Sequence, residues 1–388
     1  MAEFWELVKT YQGYGIAAFV IAVFATPLAM RVAQRFGVMD YPDTFLKPHA
    51  RPTPYLGGTA ICLAWAAAML GTLWCHTVEW QLALPVLLGG VAISILGLVD
   101  DVRGVSPKMR LAVGAAIIAA VLLTTGAGFR LVASFCDPLG VHFPAYVAVP
   151  VSVLISLVVV LGACNSANLI DGLDGLCSGV TAIISLGFFL LASHLALWGY
   201  SPEGDPLRLV LAIAMFGAAM GFLPWNFNPA RIFMGDAGSV LLGFNCGMLI
   251  VLFAERGIFR WVIGALMIFA LPVFDTALAM FRRWRSGRSI FEGDRSHFYD
   301  QLVQRGCSVR QTVLISYGLT VIYGGLGLLM MWVDEKGPVI RTRYAVPLYG
   351  LIVLLTAAAA HFAGLTRPEQ QAGRQTASSA DETPPSPA

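Results

Sequence analysis

Residues 165–176 read NSANLIDGLDGL, two carboxylates three residues apart with a glycine directly behind each. About nineteen mostly apolar residues precede the stretch and another apolar run follows it. Similar acids stand at other ends of apolar runs, Asp100 and Asp101 in LGLVDDVRG and Asp236 in NFNPARIFMGDAGS, and Asp275 in LPVFDTALAMFRR lies inside a run about two turns from its end. A carboxylate at membrane depth costs roughly 2.5–3.5 kcal/mol to insert, and clustered carboxylates repel one another. A divalent cation relieves that repulsion. Mg²⁺ suits the oxygen-rich set, because it binds through one or two carboxylates plus substrate phosphates; Mn²⁺ is a workable substitute. Gly172, Gly175, Gly235 and Gly238 remove side chains where backbone N–H groups could approach phosphate oxygens. Phe233 and Asn226 offer an aromatic face and an amide near the same place, which suits a nucleobase. The chemistry these residue types fit is handling of a cation-bridged nucleotide phosphate.

Each residue also has a plain structural reading. Asp100 and Asp101 could end a helix in water. Asp236 could cap the helix that follows it. Asp275 could pair with Arg282 or Arg283, and Phe233 could simply pack. The basic stretch 282–310 could be an ordinary solvated loop, or a lid that binds anions through cations such as Arg288 and Arg295, with His297 beside them.

The elements that must position these residues are membrane helices. Hydrophobic residues make up 57% of the 388 and charged ones 12%, against roughly 25% charged in soluble domains. The apolar runs have the 18–22 residue length that a ~30 Å hydrocarbon core requires, too long for barrel strands. Eleven spans are expected: 14–33, 56–75, 82–99, 109–126, 145–163, 175–198, 207–224, 238–254, 261–281, 311–333 and 344–364. The expected fold is therefore an all-α polytopic membrane protein, one catalytic domain over 1–365, with a disordered tail over 366–388 rich in Pro, Ser, Ala and Thr. Residues 127–144 alternate around a Pro-Leu-Gly turn and read as a small hairpin outside the bilayer. With these spans, seventeen Lys and Arg fall on the side holding the acids and eight on the other. That bias puts the acids and the tail in the cytoplasm and the N-terminus outside. The first run lacks a basic leader and a cleavage site, so it reads as a retained helix. Seven scattered Cys without a CxxC pair read as buried apolar residues, and nothing points to nucleic acid.

Five stretches together resemble the polyprenyl-phosphate N-acetylhexosamine-1-phosphate transferases, the family of the bacterial undecaprenyl-phosphate GlcNAc-1-phosphate transferases and the phospho-N-acetylmuramoyl-pentapeptide transferases. They are DYPDTFLKPHARPTPYLGG (40–58), GLVDDVRGVSPKMRL (97–111), NSANLIDGLDGL (165–176), NFNPARIFMGDAGSVLLG (226–243) and GDRSHFYDQL (293–302). The resemblance implies a UDP-sugar donor, a polyprenyl phosphate acceptor, Mg²⁺, and a site at the cytoplasmic face of the inner membrane; a homodimer is compatible with it. It implies that Asp100 engages the acceptor phosphate with Asp101 beside it, that Asp236 binds Mg²⁺ with Asp101 as a second candidate ligand, and that His297 joins the catalytic set. It further implies that Asp174 contacts uridine, that Phe233 stacks on uracil, that Asn226 and Lys47 lie near the nucleotide, and that Asn168 and Asp171 line the metal and phosphate region.

Two departures stand out. The family's D-R-x-H-x-H-H pattern here runs DRSHFYD, so Tyr299 and Asp300 replace two His. The Arg that commonly precedes the Lys of the first motif is missing in DTFLKPH. Nucleotide and metal residues are kept, whereas the part near the sugar is altered, so a HexNAc-type donor is expected without a commitment to GlcNAc. A cation-coupled transporter is the alternative from another class, and an inactive scaffold of the same fold is a third. A transporter would place its acids near the bilayer midplane in repeated halves, and no repeat is evident.

Overall fold

The protein is described here by a computed structural model covering residues 2–41, 52–137, 140–197, 205–254, 259–287, 297–331, 333–334, 337–338 and 342–365. Its helices are α1 (Ala2–Phe36), α2 (Gly57–Trp74), α3 (Trp80–Arg103), α4 (Pro107–Thr125), α5 (Leu131–Cys136), α6 (Ala145–Leu169), α7 (Leu176–Leu197), α8 (Asp205–Asn226), α9 (Gly235–Leu252), α10 (Phe259–Ile268), α11 (Ala270–Arg285), α12 (Phe298–Gln304), α13 (Val309–Met331) and α14 (Thr342–Phe362). Two antiparallel ladders of two residues a strand complete the list: β1 (Met39–Asp40) with β2 (Thr53–Pro54), and β3 (Val333–Asp334) with β4 (Gly337–Pro338).

Among the described residues nine helices are long and apolar enough to cross a membrane. The expected span 261–281 is instead two helices, α10 and α11, meeting at a 76° bend. The span expected at 344–364 falls on α14, whose apolar section Pro347–His361 is shorter than the other nine. Eleven crossings therefore require both the broken pair and α14 to cross. The hairpin expected over 127–144 is absent from its described residues, which form α5 instead. Leu131 and Ser134 are buried there, and the Val132 amide donates to Ser152 Oγ on α6 at 3.0 Å. Packing against α6 outweighs the alternation in the sequence. The tail 366–388 lies outside the described residues.

α9 is the axis of the bundle. Its span is 94% buried inside the protein, against 22% for α4, which is peripheral. No water drives helices together inside a bilayer, so close approach depends on small residues. A Cβ on Gly97 of α3 would sit 2.6 Å from the Asp236 carbonyl carbon, and one on Gly243 of α9 would sit 2.5 Å from Ala163 O of α6. These contacts set α3 and α6 against α9. Gly97→Ala should therefore cost ~1–3 kcal/mol of stability, as overpacking does, read as a lower thermal midpoint in detergent. Gly162→Ala, with open space around the new methyl, should not.

Hydrogen bonds place many helix ends at one level. The β1–β2 ladder joins the end of α1 to the start of α2, and Phe233 N donates to Pro54 O at 2.9 Å. Arg282 of α11 donates to Leu365 O at 3.0 Å, and Arg305, just past α12, to Ala363 O at 2.5 Å. These side chains satisfy carbonyls that a helix end leaves without partners. They bring the end of α14 to the level of α12, on the side where the acids gather.

Candidate active site

α9 opens on Gly235, whose φ of +72° favours glycine, and its first-turn amides have no capping side chain of their own. Asp101, from the last turn of α3, supplies the cap. Its carboxylate accepts from Asp236 N at 2.9 Å and Ala237 N at 3.1 Å. The positive end of α9 thus meets a carboxylate from another helix, and this fixes where Asp236 points. Asp236 does not cap α9 with its own side chain. Asp101 is a cap in this geometry, with each oxygen engaged by a backbone amide.

The Asp236 carboxylate is held by two partners. Asn168 Nδ2, one residue before the end of α6, donates to Oδ1 at 2.7 Å, and also to Ser239 Oγ at 3.1 Å. Arg110 Nη1 lies 2.5 Å from Oδ2. The same Nη1 lies 2.8 Å from Asp100 Oδ2, while Asp100 Oδ1 accepts from Val105 N at 2.6 Å. One guanidinium therefore bridges the ends of α3 and α9. Arg110 is a site residue that in the sequence counts only toward the positive charge of its side. The signal was present: Ser106 caps α4 and Pro107 opens it, the usual order at a helix start. That puts Arg110 in the first turn, at the same end as Asp100.

The opening stretch forms the turn between α6 and α7. Asn226, at the end of α8, is buried and ties that turn down. Its Oδ1 accepts from Gly175 N at 3.1 Å and Ser178 Oγ at 2.9 Å, and its Nδ2 donates to Ile232 O at 3.1 Å. Asp174 Oδ2 accepts from Asn228 Nδ2 at 2.9 Å and Ala230 N at 3.0 Å. Both residues thus organise the 227–233 loop. Phe233 ends that loop, half-buried and edge-on to Tyr55 with centroids 6.4 Å apart. In the sequence Tyr55 is one aromatic before a span, with no pattern that marks it. Burial pushes its phenol pKa up, helped by the charges of Asp101, Asp236 and Asp171. Asp171 differs from the other acids: no hydrogen bond reaches its carboxylate among the described residues. Loss of hydration pushes its pKa up to about 8, followed by the charges of Asp236, Asp101 and Asp174.

His297 precedes α12 and is 4% exposed, so at this residue the stretch is no solvated loop. Its Nδ1 lies 2.6 Å from Asp275 Oδ2. Of the readings open for Asp275, the plain one with Arg282 or Arg283 as its partner is not the one observed: Asp275 faces His297, and Arg282 reaches Leu365. Lys47, Arg288 and Arg295 lie outside the described residues.

Beside Asp236 and Arg110 a cavity of about 400 Å³ runs between α3, α4, α6, α9 and α11. Its walls include Ile93, Leu96, Leu111, Leu161 and Met280, and its polar lining includes Arg110, Asn168 and Arg283. It is a mostly apolar groove with a charged end. Among the described residues no three His, Cys, Asp or Glu stand close enough to hold a metal ion alone. The donor set still fits Mg²⁺, which needs one or two carboxylates plus substrate phosphates. The charges of Asp236, Asp101 and Asp174 all oppose ionisation of the buried Asp171 carboxyl, and a cation beside it would offset them.

Two comparisons bear on this arrangement. The glycosyl transferase family 4 profile matches residues 83–254, from α3 through α9. The chain is 32% identical to the decaprenyl-phosphate N-acetylglucosaminephosphotransferase of Mycolicibacterium smegmatis, over 78% of each chain. It is 31% identical to the probable undecaprenyl-phosphate N-acetylglucosaminyl 1-phosphate transferase of Bacillus subtilis, over 79% of this chain and 82% of that one. With the phospho-N-acetylmuramoyl-pentapeptide-transferase of Kocuria rhizophila it shares 31% identity over 66% of this chain and 78% of the other. A multi-pass bundle whose acids gather at one end, matched to these relatives over most of its length, belongs to glycosyl transferase family 4, the polyprenyl-phosphate N-acetylhexosamine-1-phosphate transferases.

Proposed function

We propose that the protein transfers a HexNAc-type sugar 1-phosphate from a UDP-sugar to a polyprenyl phosphate at the cytoplasmic face of the inner membrane. An acceptor phosphate oxygen attacks the β-phosphorus of the donor. The bond from that phosphorus to the bridging oxygen breaks, UMP leaves with the bridging oxygen, and a polyprenyl diphospho-sugar forms. The observation that carries this reading is the apolar groove ending at Arg110 and Asn168 beside Asp236. It lets a lipid chain lie among helices while its phosphate meets a polar cluster. Most work in phosphoryl transfer is positioning and charge stabilisation. An acceptor phosphate with a second pKa near 6 is largely ionised at neutral pH, so a strong base is not required.

Asp236 and Asp171 would hold Mg²⁺, with Asp101 acting through its cap on α9. When bound, the cation would neutralise charge on the donor's diphosphate. Arg110 would orient the acceptor phosphate, and Phe233 with Tyr55 would flank the uracil. The lysine-and-arginine bias supports the cytoplasmic placement of this end. The test is UMP release by purified protein given polyprenyl phosphate, Mg²⁺ and a panel of UDP-sugars. Release with one HexNAc-type donor supports the reading; no release with any donor would return the protein to an inactive scaffold.

A pH dependence follows from Asp171. With its pKa near 8, the carboxyl is mostly protonated at pH 6.5, and a bound cation must displace that proton. Raising the pH from 6.5 to 7.5 should lower the Mg²⁺ concentration for half-maximal UMP release by about eightfold. The effect should vanish in Asp171→Asn, a comparison readable in whatever activity that variant retains.

A further inference from the structure

The buried pair Asp275–His297 is not explained by the reaction as drawn above. Asp275 lies in α11, two turns from its basic end, and is 2% exposed. Both of its oxygens are used: Oδ2 lies 2.6 Å from His297 Nδ1, and Oδ1 accepts from Phe298 N at 3.0 Å. The ring of Tyr299, two residues on, stacks on the imidazole with centroids 5.3 Å apart and planes 4° from parallel. Its hydroxyl donates to Leu169 O, the last residue of α6, at 2.8 Å. A side chain on Gly172 would collide with that phenol. His297 is thus gripped at its edge by a carboxylate and on its face by a ring. That ring is itself tied to the turn carrying Asp171 and Asp174.

We infer that Asp275 and Tyr299 are positioning residues that hold the His297 imidazole in one tautomer and one place beside the 169–175 turn. The inference rests on the reaction proposed above. A carboxylate against Nδ1 makes Nδ1 the protonated nitrogen, so Nε2 is the one whose proton can change. An asparagine there can donate to Nδ1 and so select the opposite tautomer, while its oxygen can still serve the Phe298 amide. The stacked Tyr299 prevents the ring from turning out of the plane that Asp275 selects. Tyr299 and Asp300 stand where the family pattern has His, so this chain has exchanged imidazoles for a phenol that locks the one remaining.

Asp275→Asn separates orientation of the imidazole from capping of α12. The variant should lower kcat for UMP release by tenfold to a hundredfold, the range for partners that act through another group. KM for the UDP-sugar should stay within threefold, and amide hydrogen exchange over 298–304 should match wild type. Asp275→Ala, which also removes the Phe298 acceptor, should lower kcat equally and speed that exchange. Tyr299→Phe should keep the stack, speed exchange over 170–175 and cost less than Asp275→Asn in kcat. An Asp275→Asn protein with wild-type kcat overturns the inference. So does one whose loss of kcat comes with α12 exchange as fast as in Asp275→Ala, since Asp275 would then be only a cap. Wild-type protein that releases no UMP from any donor overturns the proposed reaction instead. In that event unchanged exchange in Asp275→Ala and Tyr299→Phe would overturn the lock as well.

Discussion

Asp236→Asn should reduce UMP release by about a thousandfold or more while leaving a folded protein. The two side chains have nearly the same shape, and the anchoring of Asp236 does not depend on its side chain alone. Its backbone amide donates to Asp101, and α9 around it is deeply buried. What changes is charge. Asn168 and Arg110 both donate to Asp236, an arrangement that favours an anion at the start of α9. With the charge removed, the site loses a ligand for a hard cation and Arg110 loses one of its two counterions. Removal of a single well-placed charge-stabilising group typically costs 10²–10³ in rate, and loss of cation binding adds to that. A thousandfold corresponds to about 4 kcal/mol of transition-state stabilisation. The check is UMP release against Mg²⁺ concentration, alongside a thermal melt in detergent. Full activity at ordinary Mg²⁺ would remove Asp236 from the metal set.

Much of this site could be read from the chain before any coordinates. Span lengths and the placement of acids at span ends follow from the cost of burying charge in hydrocarbon, so Asp100, Asp101, Asp171, Asp174 and Asp236 could be grouped from sequence. Their division of labour could not. Asp101 and Asp236 look alike in sequence, yet one caps a helix and the other faces a guanidinium. The difference lies in which helix end each meets, a long-range fact. Local pattern also misled over 127–144, where contact with α6 favours α5 over a hairpin. Asp275 shows the same limit. Neighbours on its own helix suggested an arginine partner, whereas the observed partner, His297, comes from beyond the loop.

The carboxylates near Asp236 therefore divide by what already holds them. Asp101 and Asp174 accept from backbone amides, and these bonds shape α9 and the 227–233 loop. Asp100 and Asp236 share Arg110. No hydrogen bond reaches the Asp171 carboxylate among the described residues, and its raised pKa follows from burial without such compensation and from the charges of Asp236, Asp101 and Asp174. Bonds that fix backbone must persist through a catalytic cycle. Bonds to a side chain at the mouth of a groove can exchange for a ligand. Arg110, 29% exposed at its side chain, is the group placed to make that exchange.

Arg110→Ala is accordingly expected to raise KM for polyprenyl phosphate at least tenfold and to lower kcat, with KM for the UDP-sugar within threefold. A guanidinium carries several donors in a planar fork and suits phosphate, and in this fold it closes the polar end of the groove. Arg110→Lys should recover only part of the loss, because a single ammonium lacks the fork that reaches two carboxylates and a phosphate together. Asp100→Asn should behave as a partner of this change. Its Oδ1 can still accept from Val105 N, so the turn after α3 is kept, but the charge holding Arg110 on the α3 side is gone. With Arg110 then drawn to Asp236 alone, kcat should fall on the order of a hundredfold while donor binding persists. Because Asp100 and Arg110 share one interaction, the double variant should cost clearly less than the sum of the two single losses in free energy. Steady-state kinetics with each substrate varied in turn decides the assignment. If donor KM rises and acceptor KM does not, the pair belongs to the nucleotide, and the groove would need another anchor for its phosphate.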